Sequence, residues 1–143
     1  MKDVRTRIEI TAPPERVWGI LTDFARWSEW NPWLYRADGN AGLGEQVELF
    51  FQGPNSKEMS VRCTIVDLEP NREWRWKYHV VSPVLFRGEH RFTIEPAGPN
   101  RVGFAHREVF KGLLVPLFWN EAETRRGFEA MDSALKARAE RGG

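Results

Sequence analysis

Three consecutive segments of strict alternation constrain this chain more than any other feature. From Glu73 to Val81, Trp74, Trp76 and Tyr78 fall on one face and Glu73, Arg75 and Lys77 on the other. Leu85–Ile94 and Arg101–Phe110 alternate in the same way, set apart by Ser82-Pro83 and by Glu95-Pro96-Ala97-Gly98-Pro99-Asn100. A side-chain period of two with short connections predicts an antiparallel meander with one apolar face. Such a face has to be covered. The cover is predicted to follow directly, as a helix from about Pro116 to Ala139. In it Leu117, Glu121, Thr124, Phe128, Met131 and Leu135 recur at spacings of three and four and so share a face. Pro116 is tolerated only in the first turn, which places the start.

The N-terminal half extends the same plan. Val4–Ile10 reads as a strand. Pro14 is the better first helical residue, because the residue before a proline avoids the α region. Val17, Trp18 and Leu21 give that helix its apolar stripe, and Asp23 can cap a second short helix, Phe24 to about Trp27. Asn31-Pro32 ends it, and Trp33–Tyr35 is read as extended. Glu45–Phe51 and Met59–Leu68 read as strands around a turn at Gln52-Gly53-Pro54-Asn55-Ser56, and Glu69-Pro70-Asn71-Arg72 turns into the first alternating segment. The predicted order is strand, two helices, about five strands and a long helix. The fold class is α+β, in one domain over residues 1–143.

Composition limits the function. The net charge is +1 with no basic block, so nucleic acid is not a predicted partner. Cys63 is the only cysteine, which excludes an internal disulfide and suits a reducing, cytoplasmic setting. No apolar leader follows Met1, and the longest apolar stretch, Leu113–Trp119, is too short to span a bilayer, so no integral membrane segment is predicted. Gly42-Leu43-Gly44 lacks what a phosphate loop requires, no nucleophile elbow is present, and no cofactor is predicted.

The aromatic share of 13% suggests a ring-lined interior. If the last hairpin closes symmetrically, Ile94 faces Val102, Phe92 faces Phe104, His90 faces His106 and Gly88 faces Glu108. The apolar members must point inward, so His90, His106 and Glu108 point inward with them. The same parity selects Trp74, Trp76 and Tyr78, then Val61, Cys63 and Ile65, then Val47, Leu49 and Phe51. A facing imidazole pair can hydrogen-bond a ligand carbonyl or phenol, or move protons; it can also be a pair of core histidines satisfied by each other. A metal would need further ligands at metal spacing, and none is predicted. Glu121 and Thr124 are placed near the start of the helix on its inner face, where Glu121 either favours the helix dipole or rims a cavity mouth. Trp30 and Trp33 flank the break after the second helix, as packing or as a gate. Phe128 belongs to the core stripe that a cavity would touch.

Ala12-Pro13-Pro14-Glu15-Arg16-Val17-Trp18, Asp23 through Trp33, Gly42–Glu45, Leu68-Glu69-Pro70 and Glu108-Val109-Phe110-Lys111-Gly112 together resemble the START-like (SRPBCC) superfamily of polyketide cyclases/dehydrases and lipid-transport proteins. The resemblance implies a helix-grip fold, a curved antiparallel sheet wrapped around a C-terminal helix with a hydrophobic tunnel between them. It implies a hydrophobic, ring-containing small molecule as ligand, such as a lipid, quinone or polyketide. It leaves open a cyclase or dehydratase using the same histidines, and a cochaperone-like interaction module. It supplies no catalytic residue, and the chain is expected as a monomer or homodimer.

Overall fold

The computed structural model describes residues 1–53, 56–118 and 120–142. Pro54 and Asn55 of the expected Gln52–Ser56 turn lie outside the described residues, as does the side chain of Leu117.

The chain opens with strand β1 (Lys2–Ile10), helix α1 (Pro14–Thr22) and a 3-10 helix (Phe24–Glu29). Six strands follow: β2 (Arg36–Asp38), β3 (Gln46–Gln52), β4 (Glu58–Glu69), β5 (Glu73–His79), β6 (Arg87–Gly98) and β7 (Arg101–Lys111). Two helices end it, α2 (Val115–Phe118) and α3 (Glu121–Glu140). All strands join one seven-stranded antiparallel sheet in the order β1-β7-β6-β5-β4-β3-β2. This is the expected α+β helix-grip architecture, with α3 as the helix across the inner face. Among the described residues no helix is long and apolar enough to cross a membrane.

Three details depart from the sequence reading. β2 is an added strand, short and polar enough that no alternation announces it. The long C-terminal helix is broken: Asn120 is extended and its side chain accepts from Glu123 N, so α3 starts at Glu121 and α2 stands apart. The last hairpin is tighter than a symmetric six-residue loop. Gly98 pairs with Arg101 across Pro99-Asn100, with Asn100 at φ 53° and an irregularity between Pro96 and Gly98. The partners therefore shift by two residues, so that Ile94 faces Phe104, Phe92 faces His106 and His90 faces Glu108. A shift of two preserves the faces, and the expected inward set stays inward.

The core is built from that set. Val17, Leu21, Phe24 and Trp27 of the N-terminal helices meet Trp74, Trp76, Phe92 and Phe104 of the sheet and Met131, Leu135 and Ala139 of α3. Cys63 is fully buried in the same cluster, where desolvation pushes its thiol well above the ordinary range and makes it a core hydrophobe. A smaller cluster of Val4, Phe110, Val115 and Phe128, with Trp33 and Phe86 against it, closes the other end.

Candidate functional site

Two rows of side chains cross the inner face side by side. One runs Trp76, His90, Glu108, Val4; the other runs Trp74, Phe92, His106, Thr6. The alternation that fixes the rings also carries three ionisable groups into an apolar interior: His90 and His106 are 1% exposed and Glu108 is 5% exposed. Burial of that kind requires partners, and they form one continuous chain. The Tyr78 hydroxyl donates to Glu108 Oε2 at 3.3 Å, and the same oxygen lies 3.1 Å from His90 Nδ1. His90 Nε2 lies 2.9 Å from His106 Nδ1, a diagonal contact that joins the rows. His106 Nε2 approaches Asp132 Oδ1 of α3 to 2.7 Å, at ion-pair distance but bent out of straight hydrogen-bond geometry. The Thr6 hydroxyl donates to Asp132 Oδ2 at 2.8 Å.

A neutral imidazole offers one donor and one acceptor, so the order of partners sets the tautomer of each ring. Burial pushes the His106 pKa below the ordinary histidine value, with Asp132 pulling partly the other way. A neutral His106 turns its Nε2–H to Asp132 and accepts at Nδ1 from His90. Burial and the nearby Glu108 carboxylate hold the Tyr78 phenol well above its usual range, so it stays a donor.

The depressed His106 pKa has a sign that can be tested. Its folded pKa lies below the unfolded one, so the unfolded chain binds the extra proton first. Stability should be full above the ordinary histidine value near ~6.5 and fall as the pH drops below it, by at most about 1.4 kcal/mol per pH unit. Urea midpoints from pH 7.5 to pH 5 should decline and His106→Gln should flatten that slope; a parallel decline in the variant would assign it to other groups.

One side chain roofs the chain of polar groups. Trp33 is half-buried, with ring centroids 6.0 Å from His90, 6.4 Å from His106 and 5.0 Å from Phe128. Asn31 Oδ1 fixes its backbone, accepting from Trp33 N and Leu34 N. Gly127 makes the seat: a Cβ there would stand 2.6 Å from the indole. Phe128 stacks on His106 at 4.9 Å, and Phe92 stacks on His90 at 4.3 Å.

The structure thus brings together His90, His106, Glu108, Tyr78, Trp33, Phe92 and Phe128. Trp76 borders His90 at 6.4 Å and Phe104 borders His106 at 4.8 Å, whereas Trp74 packs on Phe92 and Trp76, and Trp30 packs on Trp27. Glu121 is exposed in the first turn of α3, where an acid favours the helix dipole, and its expected inward position is corrected. Thr124 is also turned to the helix terminus, its hydroxyl donating to Asn120 O. The break at Asn120 removes the spacing from Leu117 on which both placements rested. Sequence reasoning missed Asp132 and Thr6. Asp132 follows Phe128 by four residues, and that spacing was the available signal.

The hollow expected between sheet and helix is corrected as well. Ring packs on ring across that space: Trp27, Trp74, Trp76, Phe92, Phe104 and Phe128 are all fully buried. The two concavities described lie elsewhere, on the outer face of the sheet around Arg91 and around Arg87. The filled interior still holds unpaired donors, since among the described residues Trp74 Nε1 and Asn31 Nδ2 find no acceptor.

The family profile described as polyketide cyclase / dehydrase and lipid transport matches residues 1–141. Solved structures of the same shape include a START superfamily protein from Mycobacterium smegmatis, 18% identical, TM-score 0.75, with 97% of each chain covered. The Aha1 dimer from Colwellia psychrerythraea is 20% identical, TM-score 0.71, over 99% of this chain and 98% of that one. The di-domain ARO/CYC StfQ from the steffimycin biosynthetic pathway is 16% identical, TM-score 0.70, over 97% of this chain and 50% of that one. None of the curated protein sequences matches.

Proposed function

The chain belongs to the polyketide cyclase/dehydrase and lipid transport family, and on that premise we propose that it binds a flat, apolar, ring-containing molecule beneath Trp33. The observation that carries the reading is the buried chain Tyr78–Glu108–His90–His106–Asp132, roofed by a single half-buried indole resting on a glycine. Ionisable groups in a core cost stability that apolar residues would not, and a ligand able to bond them gives them a use. Entry requires the Trp33 ring to swing off Gly127. The ligand then stacks on Phe128 and Phe92 and presents a phenol or carbonyl to the imidazoles.

A ring that carries a hydroxyl separates this reading from nonspecific greasiness. Titration with 2-naphthol should quench tryptophan fluorescence, and naphthalene should bind more weakly by about tenfold, the worth of one good hydrogen bond. In the double variant His90→Leu, His106→Leu the two probes should bind alike. Equal binding of both probes to the unaltered protein would overturn the role of the histidines. A cyclase or dehydratase would use the His90–Glu108 pair to move protons; its mark is turnover lost in His90→Leu with binding kept.

The filled interior favours a second reading, an interaction module that holds no ligand. Fold-level likeness to the Aha1 dimer gives that reading only an analogy. Failure of both probes to bind, with the fold intact, is the result it requires.

A further inference from the structure

Among the described residues, four of the exposed aliphatic side chains sit together at one end, apart from Leu43 and Val66. Val81 is 83% exposed, Leu113 72%, Val84 65% and Val80 43%, and Pro83 is exposed among them. They belong to two loops zipped together by their backbones: Leu113 N donates to Val84 O at 3.1 Å, and Leu114 N donates to Leu85 O at 2.9 Å. Gly112 permits the zip, at φ 132° with a would-be Cβ 2.4 Å from Leu85 O. Isolated exposed valines are ordinary, but a contiguous group is not.

Val81 adds an independent observation. It has φ 66°, a region that a β-branched residue enters only under strain. Asn71 and Asn100 occupy the same region in other turns, as their type allows. At Val81 the fold instead holds an unfavourable residue outward, in solvent.

Behind this tip lies a row of basic side chains. His79 pairs with Arg87 and Arg87 with Lys111 on adjacent strands, all on the outer face. Like charges placed directly opposite repel. Among the described residues no carboxylate pairs with His79, Arg87 or Lys111, and Arg87 instead donates to Pro83 O of the tip at 3.0 Å. A second basic row, Arg5–Arg107–Arg91–Arg75, is treated differently. Asp3 bonds Arg107 and Arg5, and Glu89 bonds Arg75. Among the described residues, carboxylates meet three of the four members of that row, all but Arg91, and none meets the row next to the tip.

We propose that this end docks on an anionic lipid bilayer, with Val81, Val84 and Leu113 inserted below the headgroups and Arg87 and Lys111 on the phosphates. Aliphatic side chains backed by unpaired cations match the two layers of a membrane surface, an apolar interior under a negative headgroup plane. The tip adjoins the small cluster of Phe86, Phe110, Phe128 and Trp33. Docking there would place the roof of the proposed ligand site near the bilayer, although bilayer binding does not depend on that site.

Vesicle co-sedimentation of the full chain tests the docking directly. Vesicles of mixed phosphatidylcholine and phosphatidylglycerol should bind it, pure phosphatidylcholine should bind about tenfold more weakly or not at all, and added salt should weaken the first. Val81→Asn with Val84→Ser should reduce binding about tenfold. Because Asn accepts the backbone of position 81, that variant should be at least as stable as the parent to urea, so loss of binding cannot be ascribed to misfolding. Arg87→Gln with Lys111→Gln should remove the preference for the anionic vesicles. Trp33→Ala should leave vesicle binding unchanged, which separates this docking from the ligand site. Absence of binding to anionic vesicles, binding indifferent to the tip substitutions, or a lipid-free dimer in sedimentation velocity that Val81→Asn, Val84→Ser dissociates would overturn it, the last by assigning the tip to a second copy of the chain.

Discussion

Asp132→Ala is expected to destabilise the fold by about 2–5 kcal/mol, the cost of leaving two buried donors without their acceptor at about 1–3 kcal/mol each. Asp132 is 3% exposed and holds both the Thr6 hydroxyl and the near side of His106. Without it, two polar groups face a dry gap between α3 and β1. For a domain of this length the loss corresponds to a fall in Tm of roughly 10 °C. Replacing the chain as a whole should behave differently. His90→Leu, His106→Leu, Glu108→Met and Asp132→Val together leave no buried charge, and the combination is expected to be neutral or up to ~4 kcal/mol more stable than the parent. Calorimetry and urea unfolding of both variants decide the matter. If the quadruple variant is as damaged as Asp132→Ala, the chain is structural, and its burial no longer argues for a ligand.

That contrast bears on how the site was legible in the sequence. Alternation in β5, β6 and β7 placed His90, His106 and Glu108 on the inner face even though the hairpin register was off by two, because the face depends only on parity. The pairing that follows from the true register matters chemically. It sets His90 opposite Glu108 instead of His106, so the imidazoles meet on the diagonal and the carboxylate caps one end. Asp132 was illegible for a different reason. An acid on a helix rich in Arg and Glu reads as solvated, and only a polar partner on a distant strand, Thr6, makes its burial affordable. The hollow was misread because period two tells which side chains share a face and says nothing of the volume they leave. Here Trp74 and Trp76 meet Phe24 and Trp27 at centroid separations of 6.2 to 6.3 Å, Phe92 packs on Trp74 at 4.5 Å and on Trp76 at 5.4 Å, and little space remains between them. β2 escaped because three residues, Arg36–Asp38, carry too short a pattern to register.

Trp33→Ala is expected to cost about 2–3 kcal/mol, less than the ~3–5 of a fully enclosed tryptophan because the ring is half-buried. It should also leave a slot over His90, His106 and Phe128. Indole added at about a hundred times its Kd should then restore roughly 2.7 kcal/mol to the variant and little to the parent, whose slot is occupied. Gly127 supplies the internal check. In the parent, Gly127→Ala sets a Cβ 2.6 Å from the indole and should destabilise the fold or dislodge Trp33. In the Trp33→Ala background the same substitution meets no ring and should instead stabilise α3 by about 1 kcal/mol, the ordinary helix preference of Ala over Gly. A reversal of sign between backgrounds is a coupling that only direct contact produces. If Gly127→Ala has the same effect with and without the indole, Trp33 does not rest on α3, and the roof beneath which the ligand was placed is gone.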